Sequence, residues 1–183
     1  YLIARTHGLF LLAPEVLDGL ERGMARIGDW WRGVPGAATV LHGDLRLDNL
    51  LLGEGSDDIW TVDWQTVVVG NGVADAAYFV GGNLLPEVRR AHEDDLVRHY
   101  HQALVDRGVA DLTWDECWAR YRHGTWHGVY LCVAAAMLVE QTERGDLMFS
   151  TDIDRHVRHA LDLDAFDVFD RFDESTIPGA SRG

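Results

Sequence analysis

The sequence of 183 residues contains no lysine: all 16 basic residues are arginines, and 30 acidic residues outnumber them. The formal net charge is −14. Nucleic-acid binding depends on a positive surface, and an anionic membrane surface repels an acidic chain. The charge therefore argues against both a nucleic-acid partner and a membrane partner.

Cysteine is scarce as well. Cys117 and Cys132 are too few for a disulfide framework and do not have the spacing of a metal site, which indicates a reducing, cytoplasmic environment. No apolar run reaches the roughly 20 residues of a membrane-spanning helix, and no signal segment opens the sequence. With 47% hydrophobic residues, the chain suits one domain with a substantial core.

Apolar periodicity and end signals predict a mainly helical chain. Thr113-Trp114-Asp115-Glu116 has the pattern of a capping box, which opens a long helix. The predicted helices cover 14–31, 75–82, 86–108, 113–142 and a last segment that begins near Thr151.

Three short β-type runs precede these later helices. Thr39–Leu41 is the first, and Leu50–Leu52 and Ile59–Val62 flank the polar, glycine-containing turn 53–58. The second and third runs predict a hairpin, whose outer ends lie side by side. The polar loop before Leu50 is therefore expected close to Asp63. The predicted fold is mainly α with one small β-hairpin.

The loop and the hairpin end carry oxygen-bearing side chains at an informative spacing. Asp44 and Asn49 lie five residues apart on the loop, and Asp63 follows the hairpin. Carboxylate and amide oxygens are ligands that Mg²⁺ takes, usually together with water and substrate phosphates. A carboxylate left off the metal can accept a proton from a hydroxyl nucleophile. The arrangement is typical of phosphoryl transfer.

The spacing of His42, Asp44, Asn49 and Asp63 matches the protein-kinase catalytic loop and its later metal-binding aspartate. The forms His-Gly-Asp and Asp-Trp-Gln closely resemble the aminoglycoside phosphotransferase and choline kinase family. Asp75-Ala76-Ala77-Tyr78 is similar to a segment that follows the metal motif in that family. The resemblance covers about residues 14–165, and its specific part is 40–80.

The resemblance implies a protein-kinase-like C-terminal lobe over residues 1–174, followed by a disordered tail over 175–183. It also implies roles in catalysis and metal binding. Asp44 would accept the proton of the substrate hydroxyl, and Asn49 and Asp63 would hold Mg²⁺ on the phosphates of ATP or another nucleoside triphosphate. Arg46 could contact the transferring phosphoryl group, although a surface ion pair explains it equally well.

The resemblance also assigns His42 and Asp75 to the cofactor site, because both would hold the loop in place. His42 would hold the loop by packing and hydrogen bonding, and Asp75 would accept backbone N–H bonds from it. Only eleven residues separate Asp63 from Asp75, which leaves no room for the activation loop of a protein kinase. A small hydroxyl-bearing substrate is therefore expected. Aminoglycosides, choline-like amines, sugars and hydroxyacyl groups on coenzyme A all stay open.

A complete kinase also needs a glycine-rich loop and a lysine on the nucleotide phosphates. Neither is present before His42, where only about forty residues are available. We therefore expect that the N-terminal nucleotide-binding lobe is absent from the chain and that the chain alone has negligible transfer activity. The surface left by the missing lobe could support self-association. The alternative function is a non-catalytic, pseudokinase-like binding module.

Other candidate sites are weaker. His123 and His127 are four residues apart on a helix and could suit a metal hydrolase, but a structural role is favoured. His156 and His159 are predicted on a solvated helix face. Core packing is favoured over cation binding for the aromatic stripe of Trp114, Trp118 and Tyr121.

The acidic end of the chain is the last candidate. Its aspartates and a glutamate between Asp162 and Glu174 could attract a cationic substrate or could simply be solvated.

Overall fold

The computed structural model describes residues 12–33, 38–55, 58–140 and 142–170. Within these ranges the chain forms six α-helices and four short strands, and no described helix is long and apolar enough to cross a membrane. In chain order they are α1 (Pro14–Ala25), α2 (Ile27–Arg32), β1 (Thr39–Leu41), β2 (Leu50–Leu52), β3 (Ile59–Thr61), β4 (Val68–Gly70), α3 (Val73–Asn83), α4 (Pro86–Asp106), α5 (Trp114–Leu138) and α6 (Glu143–Asp162).

The strands form two small antiparallel sheets. β2 and β3 pair as the predicted hairpin, with Leu50 opposite Thr61 and Leu52 opposite Ile59. β1 pairs with β4, which places Thr39 opposite Gly70. The prediction of a single hairpin is therefore incomplete. β4 was missed because its partner is distant in the sequence and no tight turn joins the two strands.

The capping signals fix two helix starts. Thr113 Oγ1 accepts the Glu116 N–H (3.3 Å) and Glu116 Oε2 accepts the Thr113 N–H (2.9 Å), which confirms the capping box of α5. The start predicted for the last helix, near Thr151, is wrong. α6 begins at Glu143, because the Thr142 hydroxyl accepts the Gly145 N–H at 3.0 Å and caps the first turn.

α5 is the central element of the core. On one side, Trp126 and Val129 are fully buried against α1 and α6. Gly23 makes this approach possible, since a Cβ there would lie 2.0 Å from the Trp126 ring. On the other side, Gly124 lets Ala74 of α3 approach closely. Small residues thus bring α1 and α3 against α5.

The aromatic stripe of α5 packs within this structure. Trp118 stacks on Trp114 and on Tyr121, with ring centroids 5.6 and 5.5 Å apart. Tyr121 is fully buried beside Val97 and Cys117. The favoured prediction of core packing is confirmed for this stripe.

A buried charge network connects α4, α5 and α6. Arg89 is 1% exposed and pairs with Glu93 (2.7 Å) and with Asp162. Glu93 also accepts a hydrogen bond from Tyr121 (2.8 Å) and contacts His159 Nε2 at 2.5 Å. Burial alone would raise the pKa of Glu93, but these partners lower it. The carboxylate is therefore charged and fully engaged.

Three aspartates at the acidic end of the described chain form ion pairs, and the side chains of Asp167 and Asp170 are also 43% and 72% exposed to solvent. Asp162 pairs with Arg89 and Arg90, Asp167 pairs with Arg122 at 2.6 Å, and Asp170 pairs with Arg26 at 2.8 Å. Attraction of a cationic substrate by this end stays a prediction. The predicted tail of residues 175–183 lies outside the described residues.

We expect Arg89→Met to lower the free energy of unfolding by about 3–5 kcal/mol, because it leaves the Glu93 carboxylate buried without its guanidinium partner. Arg90 also contacts Asp162, but its side chain is 48% exposed. Arg90→Met is therefore the matched control and should cost less than about 1 kcal/mol. Urea unfolding measures both. Equal losses in the two variants would contradict a structural role for the buried network.

Candidate active site

Asp75, in the first turn of α3, holds the backbone of the loop between β1 and β2. Its carboxylate accepts the His42 N–H at 2.7 Å and the Gly43 N–H at 3.0 Å. These are the backbone contacts expected of Asp75 from the sequence. Both carboxylate oxygens are bonded to the loop, so any contribution of Asp75 to a cofactor site would pass through the loop rather than through direct contact.

The carbonyl groups of the same two residues are bonded as well. Thr66 Oγ1 donates to the His42 oxygen (2.9 Å), and His127 Nε2–H donates to the Gly43 oxygen (2.8 Å). Gly43 has a φ of +82°, and a Cβ there would lie 2.4 Å from the Thr66 carbonyl oxygen. Only glycine fits this turn. Because the N–H and carbonyl groups of His42 and Gly43 are all hydrogen-bonded, the backbone of the turn is held on both sides.

The His42 side chain ties the loop to the end of β3. It is 3% exposed, and its Nε2–H donates to the Val62 carbonyl oxygen at 2.8 Å. Its Nδ1 accepts the Asp44 N–H at 3.3 Å. As with Asp75, the polar atoms of His42 are used inside the protein. His42 would therefore act on a cofactor only indirectly, by positioning Asp44 and Asp63.

Asp44 and Asn49 are brought into direct contact. Asn49 Nδ2 donates to the Asp44 main-chain oxygen (2.9 Å) and to Asp44 Oδ2 (3.2 Å). The Tyr78 hydroxyl donates to Asp44 Oδ1 at 2.8 Å. The carboxylate is thus fixed from two sides. Because the amide nitrogen of Asn49 is engaged, its side-chain oxygen is the atom that could ligate a cation.

Asp63 lies beside this pair through the hairpin register. The Val62 N–H donates to the Asn49 main-chain oxygen at 2.9 Å, which extends the pairing of β2 and β3 by one step and brings Asp63 next. Asp63 has φ 63° and ψ 59°, a left-handed conformation that is costly for a residue other than glycine and is enriched at functional sites. With the described residues, its exposed carboxylate makes no hydrogen bond or ion pair.

The donor set of Asn49 and Asp63 fits Mg²⁺. Within the described ranges, no three His, Cys, Asp or Glu residues cluster so that they could hold a metal ion. A site here would have one carboxylate and one amide oxygen, with phosphate and water completing the shell. Mg²⁺ is usually bound in this way.

Arg46 forms the surface ion pair that was one of its two predicted roles. Its Nη2 lies 3.2 Å from Oδ2 of the exposed Asp48. Contact between Arg46 and a transferring phosphoryl group stays a prediction.

His123 and His127, which were considered as a metal-binding pair, instead make separate structural contacts. His123 is buried and stacks on Trp30, with ring centroids 5.3 Å apart, and His127 bonds to Gly43. The favoured structural role agrees with both positions.

Three residues that contact the loop were given no role at the loop from the sequence: Thr66, Tyr78 and His127. Tyr78 had a readable signal, because it lies three residues after Asp75 and such residues share one face of a helix. The contacts that Thr66 and His127 make with the loop join distant parts of the chain. Nothing in the local sequence indicates them.

The prediction that His156 and His159 lie on a solvated helix face is wrong, because this face of α6 packs against α3 and α5. His156 and His159 are 1% and 0% exposed. The His156 ring stacks on Tyr78 with centroids 5.0 Å apart, and burial lowers its pKa to about 3. His156 is therefore a neutral wall behind the tyrosine that bonds to Asp44. Its ring fills space left by Gly81, Gly82 and Gly128.

Comparison with protein-family models matches residues 20–112 to the ecdysteroid kinase-like family. The matched segment contains the whole loop together with Asn49, Asp63 and Asp75. No curated protein and no solved structure gives a significant match. The finer resemblance to aminoglycoside phosphotransferases and choline kinases stays a prediction.

The buried histidines predict an acid-sensitive fold. Burial lowers the pKa of His156 to about 3 and that of His123 to about 4, against about 6.5 in an unfolded chain. Below pH 6.5 the unfolded state binds protons that the folded state does not, so stability falls as the pH falls. Each histidine contributes a slope of about 1.4 kcal/mol per pH unit.

The measurement is urea unfolding between pH 7.5 and 5. His156→Asn removes one of the titrating histidines. It should therefore reduce the slope of the unfolding free energy against pH by about 1.4 kcal/mol per pH unit, whatever its effect on stability at pH 7.5. The exposed His92 provides the control variant His92→Asn, which should leave the slope unchanged. A slope in His156→Asn equal to that of the unchanged protein would show that His156 is protonated in the fold.

Proposed function

The chain belongs to the ecdysteroid kinase-like family, a family of kinase-like phosphotransferases, and from this membership we propose that it carries out the acceptor chemistry of an ATP- and Mg²⁺-dependent O-phosphotransferase. The acceptor is a small hydroxyl-bearing molecule, as in aminoglycoside phosphotransferases. We also propose a cytoplasmic location, in keeping with the free, buried thiols of Cys117 and Cys132.

The observation that carries the proposal is the contact between Asp44 and Asn49 on a loop whose backbone is bonded on both sides. Tyr78 and Asn49 each donate to one oxygen of the Asp44 carboxylate. Asp63 follows the strand that pairs beside Asn49, and its carboxylate is exposed. The proposed proton acceptor and the two proposed cation ligands therefore lie at neighbouring positions.

Asp44 would act on the hydroxyl of the acceptor. As the hydroxyl oxygen forms its bond to the γ-phosphorus, its proton passes to the Asp44 carboxylate, and the bond between the γ-phosphorus and the bridging oxygen breaks to release ADP. Asn49 and Asp63 would hold Mg²⁺, which supplies positive charge to the phosphate oxygens. The hydrogen bond from Tyr78 keeps Asp44 oriented toward the hydroxyl.

The segment between Asp63 and Asp75 supports a small acceptor rather than a protein. Trp64–Thr66 forms a 3₁₀ turn, and Val68–Gly70 is β4, paired with β1. These residues are thus used to build the site itself.

The rival function is a binding module without catalysis. It is favoured only by the composition, which provides no lysine for the nucleotide phosphates. The two functions differ in what Asp44 does, since a binding module does not need a proton acceptor.

We expect Asp44→Asn to lower turnover by about 10²–10⁴-fold, because the amide cannot accept the proton. ADP release is measured with a panel of hydroxyl compounds, in a protein in which these residues are joined to a nucleotide-binding lobe that supplies a lysine. Asp115→Asn, at an exposed carboxylate in the first turn of α5, is the control and should retain full turnover. Unchanged turnover in Asp44→Asn would overturn the proposed chemistry and favour the binding module.

A further inference from the structure

An open cavity of about 140 Å³ is lined by the loop between β1 and β2, by α3 and by α6. Tyr78, whose hydroxyl bonds to Asp44, forms part of its wall. A molecule in this cavity would therefore lie close to the proposed proton acceptor. The lining residues are Arg46 and Asp48 from the loop, Tyr78, Gly82 and Asn83 from α3, and Met148, Asp152, Arg155 and His156 from α6.

Asp152 is an acceptor in this wall that has no protein donor among the described residues. Its side chain is half-buried, and with the described residues its carboxylate makes no hydrogen bond. Burial raises its pKa despite the nearby charges of Arg46 and Arg155. A ligand in the cavity could therefore donate a hydrogen bond to this carboxylate in place of water.

Arg46 is an unsatisfied donor in the same wall. Its Nη2 is used by Asp48, but its Nε is buried and has no hydrogen-bond partner among the described residues. Arg155 is already engaged, because its Nη1 donates to the Gly82 carbonyl oxygen at 2.8 Å. The cavity therefore offers one open donor and one open acceptor on facing elements.

The charges of the wall limit the chemistry of the ligand. The wall carries two guanidinium groups, Arg46 and Arg155, and two carboxylates, Asp48 and Asp152, so its formal charges balance and favour neither a cation nor an anion. A hydroxyl group both donates and accepts, so neighbouring hydroxyls can satisfy the open donor and the open acceptor together. Tyr78 is already engaged with Asp44, and the second ring of the lining, His156, stacks on Tyr78 with centroids 5.0 Å apart, so the lining residues form no open aromatic cage for a quaternary ammonium.

We propose that this cavity binds the acceptor through a neutral polyhydroxyl group, such as a short polyol or a single sugar ring. Asp152 accepts a hydrogen bond from one hydroxyl, Arg46 Nε donates to a second, and a third is presented to Asp44. This proposal rests on the proposed function, since it identifies the cavity as the acceptor site of that reaction. Asp152 is then a specificity residue that the sequence did not indicate.

The test is a titration of the 183-residue chain, without nucleotide, followed by backbone amide NMR signals. The probes are myo-inositol, which is neutral and polyhydroxylated, and choline, which is cationic. We expect myo-inositol to shift the signals of Gly82, Asn83 and Asp152, and choline to leave them unchanged.

Asp152→Asn should raise the dissociation constant for myo-inositol about tenfold or more, because it removes a charged acceptor. Asp154→Asn is the matched control on the same helix, where the carboxylate pairs with Arg158 instead. It should change the constant by less than about a factor of two. Tighter binding of choline than of myo-inositol at these signals, no shifts with myo-inositol, or equal weakening in both variants would overturn the proposal.

This titration and the transfer assay can fail separately. Loss of turnover in Asp44→Asn without binding of myo-inositol would leave the phosphotransferase standing and remove the acceptor assignment. Binding of myo-inositol that depends on Asp152, with turnover unaffected by Asp44→Asn, would leave a polyol-binding cavity in a protein that is not the proposed enzyme.

Discussion

The pair of hydrogen bonds from His42 and Gly43 to Asp75 is the constraint on which the site depends. A carboxylate that accepts two consecutive backbone N–H groups fixes the peptide plane between them, and the left-handed turn at Gly43 then sets the direction in which Asp44 leaves the loop. Charge-assisted bonds of this kind are stronger than neutral ones. A single residue of α3 thus positions the proposed proton acceptor without contacting any reactant.

Helices α3, α5 and α6 supply the contacts that support this loop. α5 delivers His127 to the Gly43 carbonyl oxygen, and α3 delivers both Asp75 and Tyr78. The close approach of α3 to α5 depends on Gly124, where a Cβ would lie 2.9 Å from the Ala74 backbone. α6 adds the buried His156 beneath Tyr78. The close packing of small residues and of the neutral His156 therefore supports the polar loop.

Local signals in the sequence predicted much of this arrangement. Each of these signals involves residues that are close in the sequence. The turn between β2 and β3 forms as predicted, and so does the capping box at Thr113. Asp44 and Asn49, five residues apart, are in contact. β4 could not be predicted in this way, since its partner is far along the chain. The burial of His156 likewise follows from three glycines on other helices.

Arg46 and Asp152 show a different limit. Both residue types are usually solvated at the surface, and the sequence gives no sign that Arg46 Nε is buried without a partner or that the two residues line one cavity. These features become visible only when the helices are packed. In the proposed acceptor site these positions would contribute to the choice of acceptor, and the motif that indicates the chemistry carries no information about them.

Amide hydrogen exchange at His42 and Gly43 tests the central claim most directly. If Asp75 holds the loop, these two amides exchange slowly in the unchanged chain, and Asp75→Asn speeds their exchange by about tenfold or more, since one N–H then faces an amide nitrogen instead of an oxygen. Asp94→Asn, at an exposed carboxylate paired with Arg98, leaves the exchange as it was. Equally slow exchange of both amides in Asp75→Asn would show that the loop is held without Asp75 and would contradict the account.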